Sequence, residues 1–396
     1  MELELSLLSI HSHSSEEADV EMEECAGVMT PAKKTVKSKQ KAELFKEALT
    51  PCKPKDKIMS AREKVLLQCE QINTIPFTKC IPAAIRKKCC KIGEGTFGEV
   101  FRMEVRRHSL ALKIIPIEGD FLVNDEPQKT FEDILPEIVI SRELSALRYG
   151  VDNMTANYIE LKDVSLIKGK YPQDLIKEWD KYDEKKTSEN DRPDIFDSSQ
   201  LFIIFEFNDG GCDLENFEFK NMQQMKSVFQ QVTCSLAVAE KQLQFEHRDL
   251  HQGNILVAFT DTDNLHYVLD NEMYEIETHG VQVSLIDFTL SRLKKDGCTV
   301  FCNLAEDETL FQGQGDYQFE VYRLMKQYNK NDWEKSCLMT NVLWLHYLVD
   351  KLVNRDRRKF TRKQDKMIHK EFLSFYNEAL KYHSAEEIFL NCKLCQ

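Results

Sequence analysis

The 396-residue chain lacks an apolar run long enough to span a membrane, and no signal peptide opens it. It also lacks an internal repeat, which excludes a repeat array. Positive charge is scarce, since 53 lysine and arginine residues stand against 66 aspartate and glutamate residues. The net charge of −13 argues against sequence-specific nucleic-acid binding by the main body and favours a basic partner. These absences predict a soluble, intracellular protein that makes no membrane contact.

A cysteine pattern typical of disulfides is missing as well. The thirteen cysteines are odd in number and scattered, which predicts free thiols in a reducing compartment. Cys392 and Cys395 form a C-x-x-C motif without a second pair, which is more typical of a frayed terminus than of a zinc site.

The first 65 residues have the composition of a disordered tail. Residues 1–30 carry eight acidic residues and neither lysine nor arginine, whereas residues 31–64 carry eleven basic and four acidic residues. Neither stretch shows a sustained apolar period. The run PAKKTVKSKQK (31–41) is a nuclear-import signal, a loose nucleic-acid contact or a solvated linker. We assign 1–65 to the tail, with ordered sequence starting near Ala61.

The remaining sequence predicts an α+β protein with two lobes. VFRMEV, SLALKII and LFIIFEF are typical of strands, and apolar residues from Met225 to Leu243 recur at helical spacing. Residues 255–257 and 281–286 are expected to be strands that bracket a long insertion, and the last third is expected to be helical. Strands first and helices later indicate a small β-rich lobe (66–207), then a hinge and a larger, mainly helical lobe (208–396).

A glycine-rich segment, KIGEGTFGEV, fits the pattern G-x-G-x-x-G-x-V. On its own such a pattern indicates no more than a tight hairpin. Where it binds a nucleotide, Gly93, Gly95 and Gly98 let the backbone approach phosphate oxygens and offer bare N–H donors.

One lysine, Lys113, lies in the apolar strand that follows. A buried ammonium is costly unless it is paired, and a kinase supplies two partners: the nucleotide phosphates and a glutamate on the next helix. That helix is predicted over 130–147. Pro136 suits a helix first turn, which would put Glu137, the expected partner, near the start. The alternatives in the same helix are Glu132 and Glu143.

Two further segments resemble the catalytic motifs of protein kinases. In EHRDLHQGNILV, Asp249 is placed to accept the proton of a substrate hydroxyl, and Asn254 to reach a metal ion. In SLIDFTLSR, Asp287 would bridge magnesium to the ATP phosphates. Each of these residues alone would be an ordinary surface turn. Together, in this order and with these local structures, they predict a protein-kinase fold.

Two positions depart from the usual kinase motifs. Thr289 stands where the metal-binding motif D-F-G has glycine, and because threonine is stiffer, it disfavours a loop that flips between states. His251 stands where most protein kinases carry lysine. It could either help to neutralise the transferred phosphoryl group, if protonated, or only orient Asp249. Since Lys113, Asp249, Asn254 and Asp287 are all present, we expect an active enzyme.

Beyond these motifs, longer strings resemble the haspin family, atypical nuclear kinases of the histone three tail. The resemblance covers roughly residues 66–396. As in that family, no A-P-E motif follows Asp287, and the spacing between Asp249 and Asp287 suits the inserted hairpin of the family. The strings that carry it are HRDLHQGNIL, IDFTLSRL, FQGQGDYQFEVYRLM (311–325), NDRPD (190–194) and NVLWLHYL (341–348).

The resemblance implies a nucleotide site between the lobes for ATP with Mg²⁺. It places the hinge in FEFNDGGCD, with Phe207 at the back of the ATP pocket. Asn208 to Gly210 would offer backbone groups to adenine, and Asp213 a carboxylate to ribose. The other residues assigned to the nucleotide are Ile92, Gly93, Glu94, Gly95, Thr96, Phe97, Gly98, Val100, Ala111, Lys113, Asp249, Asn254 and Asp287.

The resemblance also implies a substrate and a location: a threonine near the N-terminus of the histone three tail, phosphorylated during mitosis on chromatin in the nucleus. Carboxylates beside Asp249 would bind this basic peptide. Thr309 and Gln314 stand where the family usually has aspartates, which predicts weaker tail binding or a shifted sequence preference. The matching acidic positions are Glu94, Glu215, Asp307 and Asp316.

Two other functions fit the same sequence. One is a catalytically silent pseudokinase that binds histone tails or scaffolds chromatin partners. The other is a small-molecule kinase of related fold, which the acidic charge and the GDYQF string disfavour. Nucleotide affinity together with phosphate transfer to a tail peptide separates the active kinase from the pseudokinase.

Overall fold

The computed structural model describes residues 59–105, 108–355 and 361–396. Most of the predicted tail, including the basic run 31–41, lies outside the described residues. The first helix, α1 (Ala61–Gln68), includes the last five residues that we assigned to the tail. It begins there because the Ser60 and Glu63 side chains cap each other's backbone N–H groups, and because Val65 and Leu66 are buried.

A five-stranded antiparallel sheet forms the N-terminal lobe, in the order β1-β2-β3-β5-β4. All three runs that predict strands here are confirmed as parts of β2, β3 and β5. The sheet consists of β1 (Cys90–Gly95), β2 (Gly98–Val105), β3 (His108–Ile117), β4 (Leu161–Lys168) and β5 (Leu201–Asn208).

Helix α4 (Phe131–Ala146) crosses this lobe and confirms the helix predicted over 130–147. Its start is set by a reciprocal cap between Thr130 and Asp133. The expectation that Pro136 lies in the first turn is therefore wrong: it is the sixth residue of the helix, and Glu137 is the seventh. The other helices of the lobe are α2 (Phe77–Cys80), α3 (Ala83–Arg86) and α5 (Gln173–Lys186).

Short strands line the lobe boundary on the C-terminal side. A three-stranded sheet has the order β10-β7-β6, and the hairpin β8-β9 fills the predicted insertion between β7 and β10. The hairpin β11-β12 follows the metal-binding motif. These strands are β6 (Cys212–Asp213), β7 (Ile255–Phe259), β8 (Asn264–Leu269), β9 (Glu272–Glu277), β10 (Val281–Leu285), β11 (Arg292–Lys295) and β12 (Cys298–Phe301).

Helices make up most of the C-terminal lobe, as predicted. The long central helix α6 carries a nearly continuous buried face, and α10 packs against it. These helices are α6 (Met222–Leu243), α7 (Tyr317–Tyr328), α8 (Met339–Val353), α9 (Lys363–Glu378) and α10 (Ala385–Asn391). Within the described residues, no helix combines the length and apolar character needed to cross a membrane.

The C-terminus is not frayed, contrary to the interpretation of the C-x-x-C motif. Cys392 and Leu394 are buried, because α10 brings them against the lobe, and Gln230 of α6 donates a hydrogen bond to the Leu394 carbonyl (3.1 Å). Across the described part of the chain, no group of three or more His, Cys, Asp or Glu side chains could hold a metal ion.

One segment of the small lobe belongs structurally to the large one. The Asn157 side chain donates to the Val283 carbonyl of β10 at 2.7 Å, and the Tyr158 hydroxyl donates to the Ser235 carbonyl of α6 at 3.1 Å. The chain therefore ties the two lobes together well before it reaches the hinge. The α+β class, with a small β-rich lobe and a larger helical one, is confirmed.

Candidate active site

The glycine-rich loop is the tight hairpin that joins β1 to β2. Thr96 and Phe97 form its turn, and Gly95 pairs with Gly98. Packing requires a glycine at Gly98, because a Cβ there would lie 2.2 Å from the carbonyl oxygen of Ile114 in β3. A Cβ at Gly95 would meet no atom within 4 Å, so the space beside that part of the loop is open.

Side chains from two distant segments hold this loop by its backbone. Asn124 donates its amide N–H to the Thr96 carbonyl at 2.9 Å, and Asn190 donates to the Gly95 carbonyl at 3.2 Å. Asn190 belongs to the NDRPD string, whose role the sequence did not reveal. The loop that is expected to cover the nucleotide phosphates is thus fixed at its tip.

Beneath the loop lies a chain of alternating charges. Lys113 Nζ on β3 lies 2.9 Å from Glu137 Oε1 and 3.2 Å from Asp287 Oδ2. A second lysine, Lys129, lies 2.9 Å from Glu137 Oε2, and the Phe97 ring covers its ammonium at 4.5 Å. The expected pair of Lys113 and Glu137 is present. Of the alternatives, Glu132 is exposed and Glu143 pairs with Lys295.

These ion pairs keep Glu137, Lys113 and Asp287 charged in spite of their burial. Burial alone would raise the pKa of Glu137. The opposing effect of Lys113 and Lys129 is larger, so the pKa of Glu137 lies below its usual range. Likewise, burial opposes the charge of Lys113, yet Asp287 and Glu137 raise its pKa above the ordinary value. The pKa of Asp287 is lowered, because Lys113 outweighs the effect of burial.

The metal-binding motif follows β10 directly. Asp287 has a left-handed backbone (φ 58°), and the Thr289 N–H donates to its Oδ1 at 3.2 Å. Thr289 itself is not left-handed, so the conformation found here does not require the glycine that other kinases carry. Phe288 is buried, and its ring packs against those of Tyr158 and Phe245.

Asp249 is anchored from two sides. Asn254 Nδ2 donates to its backbone carbonyl (2.7 Å) and to its Oδ2 (3.1 Å), and the Tyr322 hydroxyl donates a short hydrogen bond to its Oδ1. Burial raises the pKa of Asp249 to about 6, so the carboxylate is ionised near pH 7 and available as a base. The preceding residue, Arg248, is left-handed (φ 66°), fully buried and bonded to Glu246.

His251 lies beside this carboxylate but faces the loop backbone. Its Nδ1 accepts a hydrogen bond from the Gly253 N–H at 3.0 Å, and its Nε2 is 3.9 Å from Asp249 Oδ2. The Nδ1 nitrogen is thus occupied by the loop backbone and does not point at the phosphate side of the site. This arrangement favours the orienting role of His251 over the charge role.

At the hinge, the ring of Phe207 stacks on Phe205 (5.6 Å between centroids) and lies opposite Ala111 of β3. The Asn208 N–H already donates to the Glu160 carbonyl at 3.0 Å, so this residue has only its carbonyl to offer to adenine. A Cβ at Gly210 would lie 2.6 Å from the side chain of Leu256 in β7, so a larger residue there would require Leu256 to move.

The remaining residues assigned to the nucleotide lie around the same cleft. Val100 of β2 pairs with Lys113 of β3, and Ile92 lies at the bulge of β1 just before the glycines. Asp213 is less free than expected, because its carboxylate accepts hydrogen bonds from Asn216 at 2.9 and 3.0 Å.

The four acidic residues assigned to the peptide differ in their contacts. The Glu94 carboxylate is already occupied within the chain. It accepts hydrogen bonds from Lys91, the Ser188 hydroxyl (2.6 Å) and the Glu189 N–H (3.0 Å). The geometry gives Glu94 a structural task and does not support its assignment to the substrate.

Asp307 and Asp316 are also engaged. Asp307 accepts from the Thr309 N–H (3.0 Å) and the Thr309 hydroxyl. Asp316 caps α7 by accepting from the Gln318 N–H (2.9 Å), and it pairs with Lys351. Glu215 is exposed, and its side chain has no hydrogen-bond or ion-pair partner among the described residues.

Asn254 and Asp287 have the chemistry of a magnesium site. Because Asn254 uses its Nδ2 on Asp249, its Oδ1 is the atom that it can offer to a cation. One carboxylate and one amide oxygen suit Mg²⁺, which takes one or two protein oxygens and completes its octahedron with phosphate oxygens and water. The residues present fit the ion expected from the sequence.

A family model described as "Haspin like kinase domain" matches residues 5–390. The chain belongs to the haspin family. Serine/threonine-protein kinase haspin of Mus musculus is 49% identical over 346 residues, which make up 86% of this chain and 45% of that protein. The haspin of Bos taurus is 47% identical over 355 residues, or 88% of this chain and 45% of that protein.

A haspin homolog of Drosophila melanogaster is 42% identical over 304 residues, 75% of this chain and 54% of that protein. This haspin-family chain thus spans about half the length of the curated relatives it matches. The family match begins at residue 5, further toward the N-terminus than the motifs indicated. For two residues of the site, Lys129 and Tyr322, the sequence predicted no function.

Proposed function

We propose that this haspin-family chain transfers the γ-phosphoryl group of ATP to a threonine near the N-terminus of the histone three tail. We place this activity on chromosomes in the nucleus during mitosis. The observation that carries the proposal is the anchored Asp249 carboxylate beside the intact charge chain of Lys113, Glu137 and Asp287.

The residues divide the reaction between them. Lys113 would bind phosphate oxygens of ATP, and Glu137 would hold its ammonium in place. Asp249 would accept the proton of the threonine hydroxyl while the new O–P bond forms and the bond to the ADP oxygen breaks. Asn254 and Asp287 would hold Mg²⁺, which neutralises the charge on the phosphate oxygens.

The acidic character of the peptide side supports a basic substrate. Glu215 is exposed and its carboxylate forms no ion pair within 4.0 Å among the described residues, although Arg355 is near, and Asp316 remains partly exposed despite its pairing with Lys351. A histone tail brings lysine, arginine and an α-amino group, each of which gains from a nearby carboxylate. Because Glu94 is engaged elsewhere, we expect Glu215 and Asp316 to bind the tail.

The experiment is radiolabel transfer from ATP to purified core histones, followed by a peptide panel in which the basic residues beside the acceptor threonine are replaced singly by alanine. We expect label on histone three and a loss of rate for some of the altered peptides. Equal labelling of every peptide would contradict the proposed substrate. Nucleotide binding without any transfer would instead indicate a pseudokinase.

A further inference from the structure

Tyr322 is the residue closest to the catalytic carboxylate that no kinase motif assigns. It lies on α7, the first helix after the hairpin β11-β12, and its hydroxyl donates to Asp249 Oδ1 across 73 residues of sequence. The other carboxylate oxygen, Oδ2, receives Asn254 Nδ2 at 3.1 Å. Each oxygen of the base therefore has one fixed donor.

The Tyr322 side chain is held rigidly enough to position its partner. It is 5% exposed, and its ring packs edge-on against Trp344 of α8 at 5.4 Å between centroids. Its neighbours Val321 and Met325 are fully buried and fix α7 against the lobe. A tyrosine has only two side-chain torsions, so little further ordering is needed to aim the hydroxyl.

The direction of the hydrogen bond is set by the charges around it. Burial and then the Asp249 carboxylate raise the pKa of Tyr322, so the phenol keeps its proton and donates. Besides Tyr322, the charged or titratable groups near Asp249 in the described structure include His251 of the catalytic loop, Asp287 and Tyr347 of α8. Within the described residues, no lysine or arginine forms an ion pair with this carboxylate.

We propose that Tyr322 is the positioning residue of the catalytic base: its hydroxyl fixes the orientation of the Asp249 carboxylate, so that one oxygen lone pair points at the substrate hydroxyl. Without this donor the carboxylate would be held by Asn254 alone, through one oxygen, and its terminal torsion is broad and has no strong preference of its own. Only the fraction of molecules in the productive orientation would then react. This inference rests on the proposed kinase activity.

The test is Tyr322→Phe, which deletes the hydroxyl and keeps the ring on Trp344. A hydrogen bond to a charged group corresponds to a change of about 10- to 100-fold in rate. We expect kcat to fall by about that factor, with the KM for ATP unchanged, since no nucleotide contact is lost. Thermal unfolding should stay close to that of the parent protein.

Tyr317→Phe is the matched control. It removes another hydrogen-bonded phenol from the same helix, one whose partner is His346 Nδ1 at 2.6 Å and not Asp249. This variant should keep the parent kcat. If Tyr322→Phe and Tyr317→Phe both retain the parent kcat, the inference is wrong; if the parent itself transfers no phosphate, the proposed function is wrong instead. An equal fall in both variants would likewise overturn the inference, because it would indicate a general effect of α7.

Discussion

The two sides of the active site differ in how regularly their carboxylates are paired with lysines and in how deeply they are buried. On the phosphate side, formed by Glu137, Asp287, Lys113 and Lys129, each carboxylate is paired with a lysine at 2.9–3.2 Å, and the Glu137 side chain is only 4% exposed. On the peptide side, formed by Glu215, Asp307 and Asp316, the carboxylates lie at the surface, and the Asp316 side chain is 40% exposed.

This difference fits the ligands that we propose for the two sides. A triphosphate needs cations at fixed positions, and buried lysines stay charged and in place only when carboxylates face them. A basic peptide needs negative charge that is not already neutralised, and such charge is tolerable only where water solvates it. Substitutions on the phosphate side should therefore act strongly on turnover, and those on the peptide side weakly and in a salt-dependent way.

The strongest effect is expected where the two sides meet, at Asp249. The substitution Asp249→Asn keeps the size of the side chain and its hydrogen bond from Tyr322 but removes the base. General-base catalysis contributes roughly 10²- to 10⁴-fold, so kcat should fall by that factor, as measured by radiolabel transfer under saturating ATP. The control is Asp261→Asn, which makes the same change at an exposed aspartate in the loop before β8. Near-normal turnover in a folded Asp249→Asn variant would remove Asp249 from the mechanism.

The local parts of this site were predictable from sequence because their residues are close neighbours in the chain. The hairpin at Gly93–Gly98 and the loop at Asp249–Asn254 each follow from a few consecutive residues. Pairing of Lys113 with Glu137 could also be predicted, since kinase motifs fix the order of strand and helix. Pro136 and Glu137 were expected too near the start of α4, because the proline was given more weight than the cap formed by Thr130 and Asp133.

What escaped prediction depends on contacts between distant segments. Tyr322 reaches Asp249 over 73 residues, and Glu94 meets Ser188 over 94 residues. No periodicity or spacing rule signals such contacts, because only the packing of whole elements brings them together. Lys129 is nearer in sequence to Glu137, but it precedes the helix and resembles an ordinary solvated lysine until β3 and α4 enclose it.

A medium effect on stability is expected from the substitution of Lys129. This residue is the second lysine that pairs with Glu137, beside Lys113. In Lys129→Met, one oxygen of the buried Glu137 loses its charged partner while Lys113 keeps the other. Leaving a buried polar group unsatisfied costs about 1–3 kcal/mol, so the free energy of unfolding in urea should fall by about that amount. Turnover should fall less than in Asp249→Asn.

The control for this change is Lys162→Met. Lys162 pairs with Glu160 at a similar distance of 2.9 Å, but its side chain is 38% exposed, so its loss should hardly alter stability. Equal stability of the two variants would show that Glu137 does not depend on Lys129.

The smallest effects are expected on the peptide side, and they test whether exposure preserves charge for the substrate. Glu215→Gln should raise the KM for a histone three tail peptide, because its exposed carboxylate forms no direct ion pair among the described residues and only Arg355 lies near it. Exposed ion pairs contribute about 0.2–1 kcal/mol, so the rise should be roughly 1.4- to 5-fold, with kcat unchanged. The effect should shrink as salt rises, since the attraction is screened.

Asp316→Asn is the internal comparison: asparagine caps a helix as well as aspartate, so α7 stays intact. Because Lys351 already compensates Asp316, its substitution should raise the KM less than Glu215→Gln does. A larger effect at Asp316 than at Glu215 would mean that pairing within the chain does not decide which carboxylates the peptide uses.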